Sequence, residues 1–147
     1  MDNLFFKEEH KMIQNMVCDF AKSEIRPIAK ELDKNESFPK EIVKKMGKLG
    51  LMGINVPAKY GGSELDTIAY STAIIELAKV DASVAITMAS HTSLGTLPLV
   101  LFGNERLKKK YLPKIASGET LSAFGLTEPF VGSDTESIKT TATKVGN

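Results

Sequence analysis

From Lys7 to Leu32 the residues Met12, Ile13, Met16, Val17, Phe20, Ile25, Ile28 and Leu32 recur at helical spacing. That spacing gathers them on one face of an α-helix, with Glu8 and Glu9 at the positive end of its dipole. Lys11, Asp19, Lys22 and Lys30 mostly take the other face. Mixed signs there describe a solvated surface and not a helix lying on a membrane. Pro27 falls inside the pattern and predicts a kink or a break.

The same period returns after each punctuation. Pro39 opens a second helix with Ile42, Val43, Met46 and Leu49 on one side, and Gly50 ends it. L-M-G-I-N-V-P-A-K-Y-G-G, rich in breakers, reads as a loop with a tight turn at Tyr60-Gly61-Gly62. Asp66 caps a third helix, apolar over most of its surface and so predicted to be central. A fourth begins at Asp81 or Ser83 and runs toward Phe102, with a break expected near Gly95. A fifth runs from Asn104 to Gly118, burying Leu107, Tyr111, Leu112 and Ile115 and leaving Lys108–Lys110 in solvent.

After Gly118 the pattern changes. Ile138 to Val145 is rich in β-branched residues at alternating spacing, which predicts a strand. The expected fold is therefore mainly α: a helical domain over residues 1–119, then the incomplete beginning of a β domain over residues 120–147. The chain is long enough for one domain with a real core. Gly146-Asn147 is hairpin-turn chemistry, but the turn leads nowhere. A lone ribbon is not stable in water, so the chain is expected to be the front piece of a longer one. Surfaces of the third and fourth helices that further domains would cover are expected to make it self-associate.

Several function classes are excluded. A net charge of +1 gives no global field for nucleic acid or an anionic membrane. The most apolar window, Ala82 to Phe102, contains His91, Gly95, Pro98 and several hydroxyls, and so reads as a buried helix and not a membrane span. The N-terminus is neither a secretory signal nor a transit peptide, and Cys18 is the single cysteine. These features point to the cytoplasm, or to the mitochondrial matrix in a eukaryote. No Cys/His cluster has metal-ligand spacing, and there is no G-x-S-x-G elbow. Glu76, Glu119 and Glu128 are available carboxylates, and His10 and His91 are available imidazoles, but nothing pairs any of them with a substrate. No residue is assigned as catalytic.

A-F-G-L-T-E-P-F-V-G-S-D, Ala123 to Asp134, is the stretch with chemistry in it. Gly125 and Gly132 let backbone N–H groups approach a ligand with no Cβ in the way. Thr127 and Ser133 bring hydroxyls that donate to carbonyl or phosphate oxygens. Gly-Ser-Asp can aim consecutive N–H groups at an anion. Phe124 offers a flat face, and Pro129 stiffens the corner. Together these suit a heteroaromatic ligand carrying a phosphate. The same residues also serve an ordinary turn, in which Glu128, Ser133 and Asp134 organise their own backbone.

The stretch resembles the flavin-binding signature of the acyl-CoA dehydrogenase family, close to x-G-L-T-E-P-x-A-G-S-D. The resemblance extends over essentially the whole chain, through K-Y-G-G after G-L-M-G-I, S-H-T-S-L-G, and F-G-N-E-R-L-K-K-K-Y-L-P-K-I-A-S-G-E. It implies an FAD-dependent oxidoreductase of fatty acid β-oxidation and lipid metabolism that α,β-dehydrogenates acyl-CoA thioesters. Electrons then pass to an electron-transfer flavoprotein, and the full-length protein is a homo-oligomer. It further implies that Phe124, Gly125, Leu126, Thr127, Glu128, Pro129, Phe130, Val131, Gly132 and Ser133 contact FAD. Ser133 would also face the acyl-CoA, and Thr96 would line the acyl cavity. The family's catalytic glutamate lies beyond residue 147. Val131 stands where the family usually has alanine, and its extra bulk is expected to crowd the cofactor. Two other readings stay open: a non-catalytic helical interaction module, and a fold relative with another reaction, such as an oxidase or a monooxygenase.

Overall fold

The computed structural model describes residues 5–146. Seven α-helices are present among them: α1 (Glu8–Phe20), α2 (Arg26–Lys34), α3 (Lys40–Lys48), α4 (Thr67–Ala78), α5 (Ala82–Ala89), α6 (Leu97–Phe102) and α7 (Glu105–Ala116). α4 packs against both α1 and α5, and α6 packs against α7.

The helix ends form where short polar side chains can satisfy the first backbone donors. Asp66 accepts from Ala69 N–H, Asp81 from Ser83 and Val84 N–H, and Asn104 from Leu107 N–H. α3 ends in a Schellman turn. Leu51 N–H reaches Met46 O, Gly50 N–H reaches Gly47 O, and Gly50 takes φ +76°. The α1 start is tied to the α4 start through one histidine. Lys7 N–H donates to His10 Nδ1 at 2.9 Å, and Nε2 lies 3.1 Å from both Asp66 oxygens.

Neither Pro27 nor Pro98 breaks its helix. A π-helical turn, Ala21–Ile25, joins α1 to α2, and a second, Ser90–Thr96, joins α5 to α6. Arg26 N–H reaches back to Ala21 O and Leu97 N–H to Thr92 O, each a five-residue step. The widened turn moves aside the carbonyls that the rings of Pro27 and Pro98 would strike. The expected break near Gly95 is thus a continuous helix, Ala82–Phe102. By length and composition this helix could cross a membrane. Its Val84, Ala85 and Met88 are nevertheless core residues, and His91 and Thr96 hydrogen-bond within the protein.

The main core joins Val17 and Phe20 of α1, Met46 of α3, Ala73 and Leu77 of α4 and Met88 of α5. Burying a Leu or Met side chain of this kind contributes about 1.5–3 kcal/mol. The segment after α3 is irregular, as expected, yet Leu51, Met52, Ile54 and Val56 are all buried. Its polar backbone is satisfied by Ser63 N–H on Gly53 O, Glu64 N–H on Val56 O and Leu65 N–H on Ile54 O. Tyr60 closes a smaller cluster with Leu112 and Ala116. Three expected core positions, Met12, Leu49 and Tyr111, are instead exposed.

Residues 138–145 form no strand, and no strand exists among the described residues. The only pairing among them is an isolated antiparallel bridge between Glu128 and Val131. A strand is defined by its partner, and residues 138–145 have none within the described chain. The Gly146-Asn147 turn includes Asn147, which lies outside the described residues, as do residues 1–4.

Asp66→Ala removes an N-cap and leaves buried His10 Nε2 without its acceptor. The expected destabilisation is about 1–2 kcal/mol in urea unfolding. Ile86, Leu94 and Leu101 follow one another at eight- and seven-residue steps on one side of the long helix, and all three are exposed. Sedimentation velocity of the 147-residue chain is therefore expected to show concentration-dependent self-association, reduced by Ile86→Glu with Leu94→Glu.

Candidate functional site

Ser122 joins the helical unit to the segment that carries the signature. Its N–H donates to His91 Nδ1 at 3.1 Å, and its Oγ lies 3.0 Å from His91 O and 2.8 Å from Thr96 Oγ1. Thr96 in turn donates to His91 O at 2.6 Å. Gly95 allows this approach: a Cβ there would stand 2.5 Å from the Ser122 carbonyl carbon. The π-helical turn, with its glycine, histidine and threonine, is thus a socket for one serine.

His91 is 1% exposed, and its Nε2 lies 3.1 Å from Met52 O. Burial holds its pKa below the ordinary imidazole value, outweighing the opposite pull of the Met52 and Ile115 carbonyls. Thr92, on the same turn, is buried and its hydroxyl has no hydrogen-bond partner among the described residues.

Thr96 does not line an open cavity. It is 1% exposed and its hydroxyl is committed to His91 and Ser122, so it holds the segment in place.

Beyond Ser122 the chain is open. Phe124, Gly125, Leu126, Thr127, Pro129, Phe130, Gly132 and Ser133 are exposed, and Glu128 among them is half-buried. Backbone N–H groups from Ala123 to Thr127 have no partner among the described residues, nor have those of Gly132 and Ser133. The hydroxyls of Thr127 and Ser133 are likewise unbonded among them. A Cβ built on Gly125 or Gly132 meets nothing within 4 Å, and neither residue has a positive φ. Nothing in this chain therefore requires glycine at either position, whereas Ser122 does require it at Gly95.

Glu128 behaves differently from its neighbours. Its carboxylate accepts from the Thr140 hydroxyl and from the N–H groups of Lys139 and Thr140, the latter two at 3.0 and 2.8 Å. Its backbone exchanges both bonds with Val131, at 2.9 and 3.2 Å, across a tight turn tipped by Pro129 and Phe130. Glu128 therefore closes its own loop. Val131 is 6% exposed, so its extra bulk is enclosed by this chain and does not stand in the open space before the glycines.

The other titratable groups have structural work. Glu76 is buried. Burial opposes its charge, but Lys79 and Gln14 outweigh it and leave the pKa below the usual carboxylate range. Glu119 pairs with Lys114 on the surface at 3.1 Å. Glu9, His10 and Asp66 bring three potential metal-ligand atoms within 4.8 Å of one another, a grouping the sequence did not reveal. Lys7 N–H occupies the His10 Nδ1 lone pair, so in the neutral ring Nε2 carries the proton and donates to Asp66. That nitrogen has no lone pair for a cation.

The description "Acyl-CoA dehydrogenase, N-terminal domain" belongs to the family model that matches residues 7–119. The chain belongs to the acyl-CoA dehydrogenase family. It is 50% identical to an acyl-CoA dehydrogenase of Bacillus subtilis (strain 168) over 137 residues, covering 93% of this chain and 36% of that protein. A solved acyl-CoA dehydrogenase from Bacillus anthracis, complexed with FAD, superposes with a TM-score of 0.84 at 42% identity, over 92% of this chain and 23% of that one. A chain in the structure of the electron transferring flavoprotein of Acidaminococcus fermentans superposes with a TM-score of 0.87 at 39% identity, over 92% of this chain and 36% of that one. The chain spans a little over a third of the length of the curated relatives it matches most strongly.

The Glu128 carboxyl pKa is held below its ordinary value, first by the Thr140 hydroxyl and then by the Lys139 and Thr140 N–H groups. The loop closure should therefore persist below the usual carboxylate pKa and be lost only as pH falls through the depressed value. Thr140 N–H is expected to stay protected relative to its intrinsic exchange rate to that point, and to be unprotected at every pH in Glu128→Ala.

Proposed function

We propose that this chain supplies one wall of the FAD site of an acyl-CoA dehydrogenase. The observation that carries this reading is the row of open donors. Glycines needed by nothing in the chain lie beside free N–H groups and free hydroxyls, which suits a flat ring and a pyrophosphate approaching from outside. FAD, when bound, supplies the hydride acceptor. Leu126 and Thr127 would donate to the polar edge of the ring, where charge builds during reduction. Gly132 and Ser133 would donate to the pyrophosphate, and Ser133 would also meet the thioester end of an acyl-CoA. Phe124 would stand against the ring. Glu128, Pro129, Phe130 and Val131 would keep these donors in register through the tight turn.

The reaction of the complete protein is α,β-dehydrogenation of an acyl-CoA, with electrons leaving to an electron-transfer flavoprotein and the subunits forming a homo-oligomer. Its catalytic base lies outside these 147 residues, and its setting is the cytoplasm or the mitochondrial matrix. The helical unit ends at residue 119, where the family-model match also ends. Residues 120–147 begin a β domain, in which 138–145 acquire a strand partner.

The test is a chimera in which this chain replaces the matching segment of the Bacillus subtilis relative. It is expected to hold FAD and to dehydrogenate an acyl-CoA. Gly132→Val should lower FAD affinity by about tenfold or more while leaving the melting of the isolated 147-residue chain unchanged. A chimera that folds without FAD affinity overturns the reading.

A further inference from the structure

The two ring nitrogens of His91 face groups of opposite kind. Met52 O, 3.1 Å from Nε2, only accepts, so Nε2 carries the hydrogen. Ser122 N–H, 3.1 Å from Nδ1, only donates, so Nδ1 keeps its lone pair. Only the neutral ring, in one tautomer, satisfies both. We propose that His91 is a positioning residue for Ala123–Ser133, and that a proton gained at its Nδ1 releases Ser122 and with it the segment. The consequence for cofactor binding rests on the flavin reading above; the release itself does not.

A proton on Nδ1 points N–H at N–H across 3.1 Å. The Nε2 contact survives, because the charged ring still donates to Met52 O. Ser122 is therefore the partner that must move. Its hydroxyl, 3.3 Å from Nδ1, can turn to accept, but the backbone N–H cannot. Beyond Ser122 most of the segment is exposed, so release can stay local.

The elements around the ring offer no counter-charge. The irregular segment after α3 presents Met52 O, α7 presents Ile115 O, and the tail presents the Ser122 N–H and hydroxyl. Lys114 and Glu119, the charged residues flanking this contact, pair with each other in solvent. Burial is the chief influence on the ring, and no charged side chain contributes. With its folded pKa depressed, His91 contributes stability in full above its unfolded pKa, near ~6.5. That contribution is lost as pH falls from there through the folded value.

The experiment uses the 147-residue chain without flavin. Amide exchange, corrected for its intrinsic pH dependence, is followed by NMR from about pH 7.5 to 4.5, alongside the ring signals of His91. Ser122 N–H is expected to be protected above the ring's titration and to lose about tenfold of that protection as the ring protonates. Ala73 and Leu77 of the core should stay protected throughout.

His91→Asn keeps an acceptor near the Nδ1 position without a titrating group. It should protect Ser122 at both ends of the range, whereas His91→Ala should protect it at neither. Protection unchanged across the wild-type titration overturns the proposal, as does a ring that stays neutral until the whole chain unfolds. So does a His91→Asn chain that loses Ser122 protection with acid as the wild type does. FAD titration of the chimera described above at the two pH extremes is read separately: no binding at either sinks the flavin reading and leaves the release standing. Equal binding at both, with Ser122 released at one, removes the positioning role.

Discussion

Hydrogen bonding between Ser122 and the π-helical turn decides where the exposed tail begins. Without it, the residues after α7 would leave the helical unit with nothing to fix their direction. Each part of the socket needs another. Gly95 makes room for the serine, Thr96 holds the His91 carbonyl that the serine also reaches, and the buried ring receives the serine's backbone. His91 is in turn fixed from behind by Met52, in a segment that has no regular structure and yet lies in the core. The tail's direction is therefore set from the middle of the molecule.

Much of the fold was legible because it is local chemistry. Asp66, Asp81 and Asn104 cap the helices they precede, and Gly50 and Gly61 take the left-handed conformation their turns require. The buried course of Leu51–Val56 was not legible. Its glycine and the proline after it mark a loop correctly, but burial depends on distant donors such as Ser63 and Leu65. The π-helical turns were also missed. A proline within a helical period signals trouble at that point, but not that the preceding turn will widen to absorb it.

The signature was legible as a motif but not as an arrangement. Spacing alone treats Phe124–Ser133 as one constellation. The structure divides it into open donors and a self-closed turn, because the Glu128 carboxylate finds Lys139 and Thr140 eleven and twelve residues away. Thr96 likewise bonds across space, to Ser122. Sequence order carries no record of such a contact.

The turn at Ser90–Thr96 also bears on how this helix can change over generations. A π-helical turn holds one residue more than an α turn, and each added residue rotates the remainder of the helix by about 100°. Deleting a single residue there would restore an ordinary ladder and bring a carbonyl back against the ring of Pro98. It would also swing Gly95 and Thr96 to another side of the helix and leave Ser122 facing a wall of side chains. Substitution along the exposed side can be gradual, but a change of length here admits no halfway state.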